Sequence, residues 1–254
     1  MRRAELTSGH PWQATFAQGV TAHRAGDVKA AQRLYRHAAE TATDPAPARL
    51  LALLLSEDGQ PEAAMTWARR AVSLDPNAGL SHAALGRVLL QGGQMEDAER
   101  AFHDAVSLDP SIGSAQQGLA ALAGLQHRRG LALFRARQWH DAATALAAAA
   151  RLLPEKPDVW HDLGTALHEG GRLAEAAGAY VKSTTLAPGR AETWHNLGSV
   201  RQELRDMNGA LAAYAHAFAL RPESFPRIAQ ELAAGNPGRV WLRAGDLRRT
   251  LARQ

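Results

Sequence analysis

The residues of this 254-residue chain best suited by type and spacing to chemistry are three histidines and an aspartate. His161 and His168 are seven apart and share one helical face, His195 lies 34 beyond His161, and Asp162 is adjacent. Imidazoles and a carboxylate are the donor types of a zinc site. Equivalent positions on packed helices stand about 8–10 Å apart, however, so two of these imidazoles meet only in a narrow set of geometries. No metal, cofactor or catalytic centre is expected. The chain has no cysteine, which removes disulfides, thiolate nucleophiles and cysteine-ligated metals. No strand is predicted, so no glycine-rich phosphate loop follows one, and a kinase or glycosyltransferase domain has no room beside the rest. The expectation is a protein that is not an enzyme.

The elements that must hold these residues are helices. Hydrophobic residues make up 46% of the chain and charged residues 21%, enough for a folded core. Alanine occurs 54 times, and it combines the best helix propensity with close helix approach. The net charge is +4, spread without a basic stripe or interleaved aromatics, so nucleic-acid binding is not expected. No apolar run is long enough to span a bilayer, and residues 1–18 carry two arginines but no apolar stretch of the signal-peptide kind. Membrane insertion is not expected, and a cytoplasmic location is.

A repeat organises the whole chain. Pro76 and Pro110 are 34 apart, as are Pro154, Pro188 and Pro222, and the gap from Pro110 to Pro154 is 44. Gly86, Gly130, Gly164 and Gly198 follow the same 44, 34, 34 pattern. So do Ala98, Ala142, Ala176 and Ala210, and so do Phe102, Leu146, Tyr180 and Tyr214. Trp160 and Trp194 are one period apart, each three residues before a Leu-Gly pair.

These residues resemble the tetratricopeptide repeat (TPR). The match is fullest over 157–190 (Trp160, Leu163, Gly164, Leu167, Gly171, Ala176, Tyr180, Pro188), where Ser183 replaces the second alanine. It continues over 191–224, where Arg201 stands at a usually apolar position, and over 79–112 and 123–156. Residues 45–78 and 12–44 match more weakly. The resemblance implies an all-α solenoid of helix-turn-helix units, A and B, stacked as a right-handed superhelix. Gly59, Gly93 and Gly171 fall in the A–B turns, and the prolines stop each B helix. Gly86, Gly164 and Gly198 are expected where A meets B, faced by Ala98, Ala142, Ala176 and Ala210, with Phe102, Tyr180 and Tyr214 filling the space beside them.

The expected organisation is an N-terminal segment (1–11), repeats one to three (12–112), an inserted segment (113–122), repeats four to six (123–224) and a C-terminal cap or tail (225–254). The ten extra residues extend the fourth A helix, or Gly113, Gly118 and Gly124 break it. Phe225 to Ala234 reads as a further A helix, with Ile228 and Leu232 covering the last repeat. Beyond it, Trp241 flanked by arginines reads as a cap or a docking tail, and Asp246 as an N-cap for a basic terminal helix.

In such a stack the A helices line a concave groove, and side chains not committed to the core project into it. Helical spacing places Arg49, Arg87, Arg128, His161, Asp162, Thr165, His195, Asn196 and Ser199 on that face. These are the expected partner-binding residues, basic towards the N-terminal half and acidic, with histidines, towards the C-terminal half. Asn196 stands where TPR proteins that grip peptide backbones carry asparagine, while Phe16, Ala17 and Val20 take the place of a chaperone-type carboxylate clamp. The expected function is a non-catalytic scaffold that binds a partner peptide or helix in the groove. The alternatives are self-assembly into a homo-oligomer and metal-dependent chemistry at His161, His168 and His195.

Overall fold

A computed structural model describes residues 10–234 and 244–253, and every regular element in them is helical. Helix α1 (Pro11–Arg24) pairs with α2 (Val28–Thr41), α3 (Ala46–Glu57) with α4 (Pro61–Leu74), and α5 (Gly79–Gln91) with α6 (Met95–Leu108). Next come α7 (Gly113–Arg135) and α8 (Trp139–Leu152), α9 (Pro157–Glu169) and α10 (Leu173–Leu186), and α11 (Ala191–Glu203) and α12 (Met207–Leu220). A 3-10 turn (Pro222–Ser224) leads into α13 (Phe225–Ala234), and α14 (Ala244–Arg253) is last. Odd-numbered helices up to α13 are the A helices, and α2 to α12 the B helices. The chain divides into two compact units, Met1–Leu122 and Ala123–Gln254.

The turn chemistry explains the regularity. At each A–B junction an amide bonds back to the carbonyl five residues earlier, as in Arg172 N to Leu167 O at 2.8 Å and Gln94 N to Leu89 O at 2.9 Å. This closure needs a residue in the left-handed region, and Gly26, Gly59, Gly93 and Gly171 supply it at φ 73–80°. At the equivalent places in the fourth and sixth repeats stand Arg137 (φ 59°) and Arg205 (φ 64°). Between repeats, the fourth side chain of the A helix closes the loop onto a proline carbonyl six residues back. Trp160 Nε1 donates to Pro154 O at 2.9 Å and Trp194 Nε1 to Pro188 O at 2.8 Å. His82 and Gln116 do the same for Pro76 and Pro110, at 2.9 and 2.7 Å. The tryptophans are therefore half-buried loop ties as well as packing residues.

Packing within each helix pair follows a size rule with a separation of 16 residues. A Cβ on Gly86 would lie 2.7 Å from the Phe102 ring, on Gly164 2.7 Å from Tyr180, and on Gly198 2.6 Å from Tyr214. Gly19 meets Tyr35 in the same way, and Gly130 meets Leu146. The rings thus lie directly on the glycines, and at Gly130 the Ala142 carbonyl also lies 3.3 Å from the same Cβ point. In the second repeat the pair is Ala52 and Ala68, both fully buried in one core cluster: where the B residue is small, the A residue regains its methyl. Gly118, under the Phe102 ring, and Gly130 are close-approach positions of this kind, and α7 runs through them as one helix of 23 residues.

Each unit has its own core. In the first, Tyr35, Leu51, Leu55, Ala68 and Val88 cluster, and Phe102 packs with Ile112 and Ala115. In the second, Leu146, Leu163, Leu167, Tyr180 and Leu197 form the main cluster. Ile228 and Leu232 of α13, with Leu247 and Leu251 of α14, cover Tyr214 and so finish the last repeat. Helix α14 begins at Ala244, so Asp246 falls in its first turn and not at its N-cap. Trp241, with the reading of its segment as a docking tail, lies outside the described residues. Among the described residues no helix is long and apolar enough to cross a membrane.

Candidate functional site

In the second unit, the A helices α9 and α11 carry two polar rows one period apart: Asp162 with Asn196, and Thr165 with Ser199. All four side chains are half-buried. A B-helix phenol reaches through from behind, where Tyr180 Oη donates to Thr165 Oγ1 at 3.1 Å and Thr165 Oγ1 donates to His161 O at 3.0 Å. Burial pushes the Tyr180 phenol up to about 12, so it remains a donor at neutral pH. Tyr214 does the same one repeat later, donating to Glu231 Oε2 at 3.0 Å and lying 3.3 Å from Gln202 Oε1. Burial, then the Glu231 charge, raises its phenol further still.

The histidines take a different part. His127, His161 and His195 occupy one register position on α7, α9 and α11, and each turns to the following A helix. His127 Nε2 bonds to Asp162 Oδ2 at 2.7 Å, His161 Nδ1 lies 2.9 Å from Thr193 Oγ1, and His195 Nε2 bonds to Glu231 Oε1 at 2.9 Å. His168 to Glu203 (2.6 Å) and Arg190 to Asp158 (2.5 Å) add further ties between successive repeats. His161 is 7% exposed and His195 4%, so both are committed to the stack. Burial, then the Arg190 charge, lowers the His161 pKa. Burial would raise the Glu231 carboxyl, but hydrogen bonds from His195, Tyr214 and Arg227 outweigh it and hold it below the usual range. His161, His168 and His195 thus have three separate partners. Among the described residues no group of three histidine, aspartate or glutamate side chains is placed to hold a metal ion.

In the first unit, Arg87 Nη2 bonds to Glu57 Oε1 at 2.6 Å, and Ser56 bonds to Gln91 beside it, joining the C-terminal ends of α3 and α5. Arg49 is half-buried on α3, and burial lowers its pKa. Arg128 is exposed on the α7 segment of the second unit. Of the nine residues expected at the groove, Asp162, Thr165, Asn196 and Ser199 stand together; His161 and His195 lie behind the surface as ties. Glu231, Tyr180, Tyr214 and Thr193 complete the polar network and were missed. The register of His127, one period before His161, was readable in the sequence, whereas Glu231 sits on a helix outside the repeat pattern.

A family model described as tetratricopeptide repeat matches residues 127–191, and a second of the same description matches 50–78, 81–112 and 191–224. The chain belongs to the tetratricopeptide-repeat family. No curated protein sequence is a significant match to this TPR chain. Among solved structures it is similar to YrrB, described as a TPR protein with an unusual peptide-binding site, at 23% identity and a TM-score of 0.37, covering 77% of this chain and 93% of that one. It is also similar to a MamA fragment from Desulfovibrio magneticus RS-1, at 20% identity and 0.36, covering 70% and 96%. A third is the TPR2AB domain of yeast Sti1 in a complex with pHSP90, at 17% identity and 0.40, covering 89% and 98%.

Proposed function

We propose that this TPR chain is a non-catalytic scaffold that binds a peptide or helix of a partner protein along its A-helix faces. The carrying observation is the patch of Asp162, Thr165, Asn196 and Ser199. These are half-buried hydrogen-bonding groups repeated at one period, with Thr165 supported from behind by the Tyr180 phenol. An asparagine amide both donates and accepts, as does a peptide group, so Asn196 suits a backbone ligand. Arg49, Arg87 and Arg128 are proposed as further contacts, and His161 and His195 as the ties that hold the patch in register.

Capture from a lysate of the native host, read by mass spectrometry, tests this. Wild type should retain a partner that the Asn196→Ala/Ser199→Ala variant loses, with both proteins equally helical and equally stable. Equal retention by both would remove the patch as the site. Capture of the chain's own copies alone would replace the scaffold by a self-assembling protein.

A further inference from the structure

Arg201 breaks a register that four other repeats keep. Leu55, Leu89, Leu133 and Leu167 stand at the same place on their A helices, and Leu55, Leu89 and Leu167 are buried there. The Arg201 side chain is 28% exposed, and it lines a cavity of about 420 Å³ enclosed by α10, α11 and α12. Arg201 Nη1 donates to Gly209 O at 3.1 Å, and Nε stands 4.0 Å from Asp206 Oδ2. A guanidinium carries five donors in a fixed fork, so most of its hydrogen-bonding capacity is unspent among the described residues. Asp206 is exposed and already caps α12 by accepting from Gly209 N at 2.9 Å. A charge placed where a leucine packs in other repeats costs stability unless it is fully paired.

The rest of the cavity is apolar at its walls and polar at its rim. Val181, Trp194 and Leu197 line it, together with the exposed Thr185 and His216. The His216 ring stacks on Trp194 with centroids 4.2 Å apart and planes 23° from parallel, and its nitrogens have no hydrogen-bond partner among the described residues. One period earlier, Arg151 stands for Thr185 and Lys182 for His216. Two long cations are thus replaced by shorter side chains at exposed positions, while a cation enters at a position elsewhere buried. The four residues of the A-helix patch do not line this cavity.

We propose that the cavity binds a small organic acid. Its carboxylate pairs with Arg201, whose planar fork suits that group, and its apolar or aromatic body lies against Val181, Trp194 and Leu197. The volume is near the lower end of the roughly 300–1,000 Å³ of small-molecule sites, which fits a compact one- or two-ring acid. The site is separate from the A-helix faces proposed to hold a partner. Because it joins helices of two successive repeats, its occupant adds stability to both.

The probes are 2-naphthoate, 2-naphthamide and 2-naphthylmethylammonium, one ring system with negative, zero and positive charge. Each is titrated into the full chain carrying ¹⁵N-labelled tryptophan, following the Trp194 indole N–H resonance, assigned with Trp194→Phe. The acid should shift this resonance saturably and bind at least about fivefold more tightly than the amide, with the ammonium weakest. Arg201→Leu restores the residue of the other repeats. It should weaken the acid about tenfold, the scale of one charge-assisted hydrogen bond, and bring acid and amide level. Should Arg201→Leu fold poorly, Ala212→Phe, which fills the cavity from α12, should abolish binding of the acid. Equal affinity for all three probes would make the cavity a receptor for any apolar group and overturn the proposal. So would undiminished acid binding in Arg201→Leu, or no saturable shift by 2-naphthoate up to about 10 mM, beyond which affinity is under about 3 kcal/mol. The scaffold reading stands or falls separately, on the Asn196→Ala/Ser199→Ala capture.

Discussion

His195 and Glu231 are 36 residues apart and lie on different elements, yet the imidazole Nε2 sits 2.9 Å from the carboxylate Oε1. Glu231 also accepts from Tyr214 at 3.0 Å and from Arg227 at 3.2 Å, and its own backbone carbonyl accepts from Gln202 at 2.7 Å. One residue of α13 is thus the polar anchor of the final repeat. Glu231→Ala removes the carboxylate partner of the His195 imidazole and leaves the Tyr214 hydroxyl with only its longer contact to Gln202 Oε1. It should cost about 1–3 kcal/mol, the usual penalty for unmatched buried polar groups. Hydrogen exchange would show the loss first in α13 amides, since in a repeat array the damage is felt by nearest neighbours. Unchanged protection in α13 would contradict the anchoring role.

His161 sets a pH dependence of known sign. Burial and the Arg190 charge depress its pKa in the fold, so the unfolded chain binds the proton first. The stability contributed by neutral His161 is complete above the unfolded value of about 6.5 and is lost as pH falls through it. Urea midpoints should therefore begin to drop as pH falls through about 6.5, and His161→Gln should remove that step. Glu231 acts lower down. Its depressed carboxyl stabilises above the unfolded value of about 4.3 and loses that contribution only at more acid pH, so the two steps separate.

The glycine–ring contacts set a packing test. In Gly164→Ala the new methyl meets Tyr180 at 2.7 Å, and a well-packed site of this kind should lose about 1–3 kcal/mol. Tyr180→Ala alone should lose about 3–5 kcal/mol by leaving a cavity. The double variant recreates the Ala52 and Ala68 arrangement of the second repeat and should cost measurably less than the sum. Thermal or urea denaturation of the four proteins closes the cycle, and strict additivity would refute the size rule.

Arg137 and Arg205 occupy turn positions where other repeats have glycine at φ 73–80°. A side chain there costs about 1–2 kcal/mol, partly offset by the extra freedom glycine gives the unfolded chain. Arg137→Gly and Arg205→Gly should each stabilise by up to about 1 kcal/mol, whereas Gly171→Ala should destabilise by a similar amount. Melting temperatures would decide it. A loss of stability in both arginine variants would show that these side chains make contacts that outweigh the strain.

The helical pairs, their period, the turn glycines at 59, 93 and 171 and the proline stops follow from local sequence alone. Each depends on backbone preferences and packing periodicity that act within a few residues. The polar row of Asp162, Thr165, Asn196 and Ser199 was legible for the same reason, since helical spacing assigns a residue to a face. What lies opposite that face is another matter. Helical spacing could not show that His161 meets Thr193 or that His195 meets Glu231. Those outcomes depend on the approach of side chains more than 30 residues apart, at distances of a few ångströms set by how one repeat seats on the next. The sequence on its own determined the helical repeat and the register of the residues along it; the tertiary structure alone decided which of them hold one repeat to the next, because that depends on side-chain approach across the packed helices.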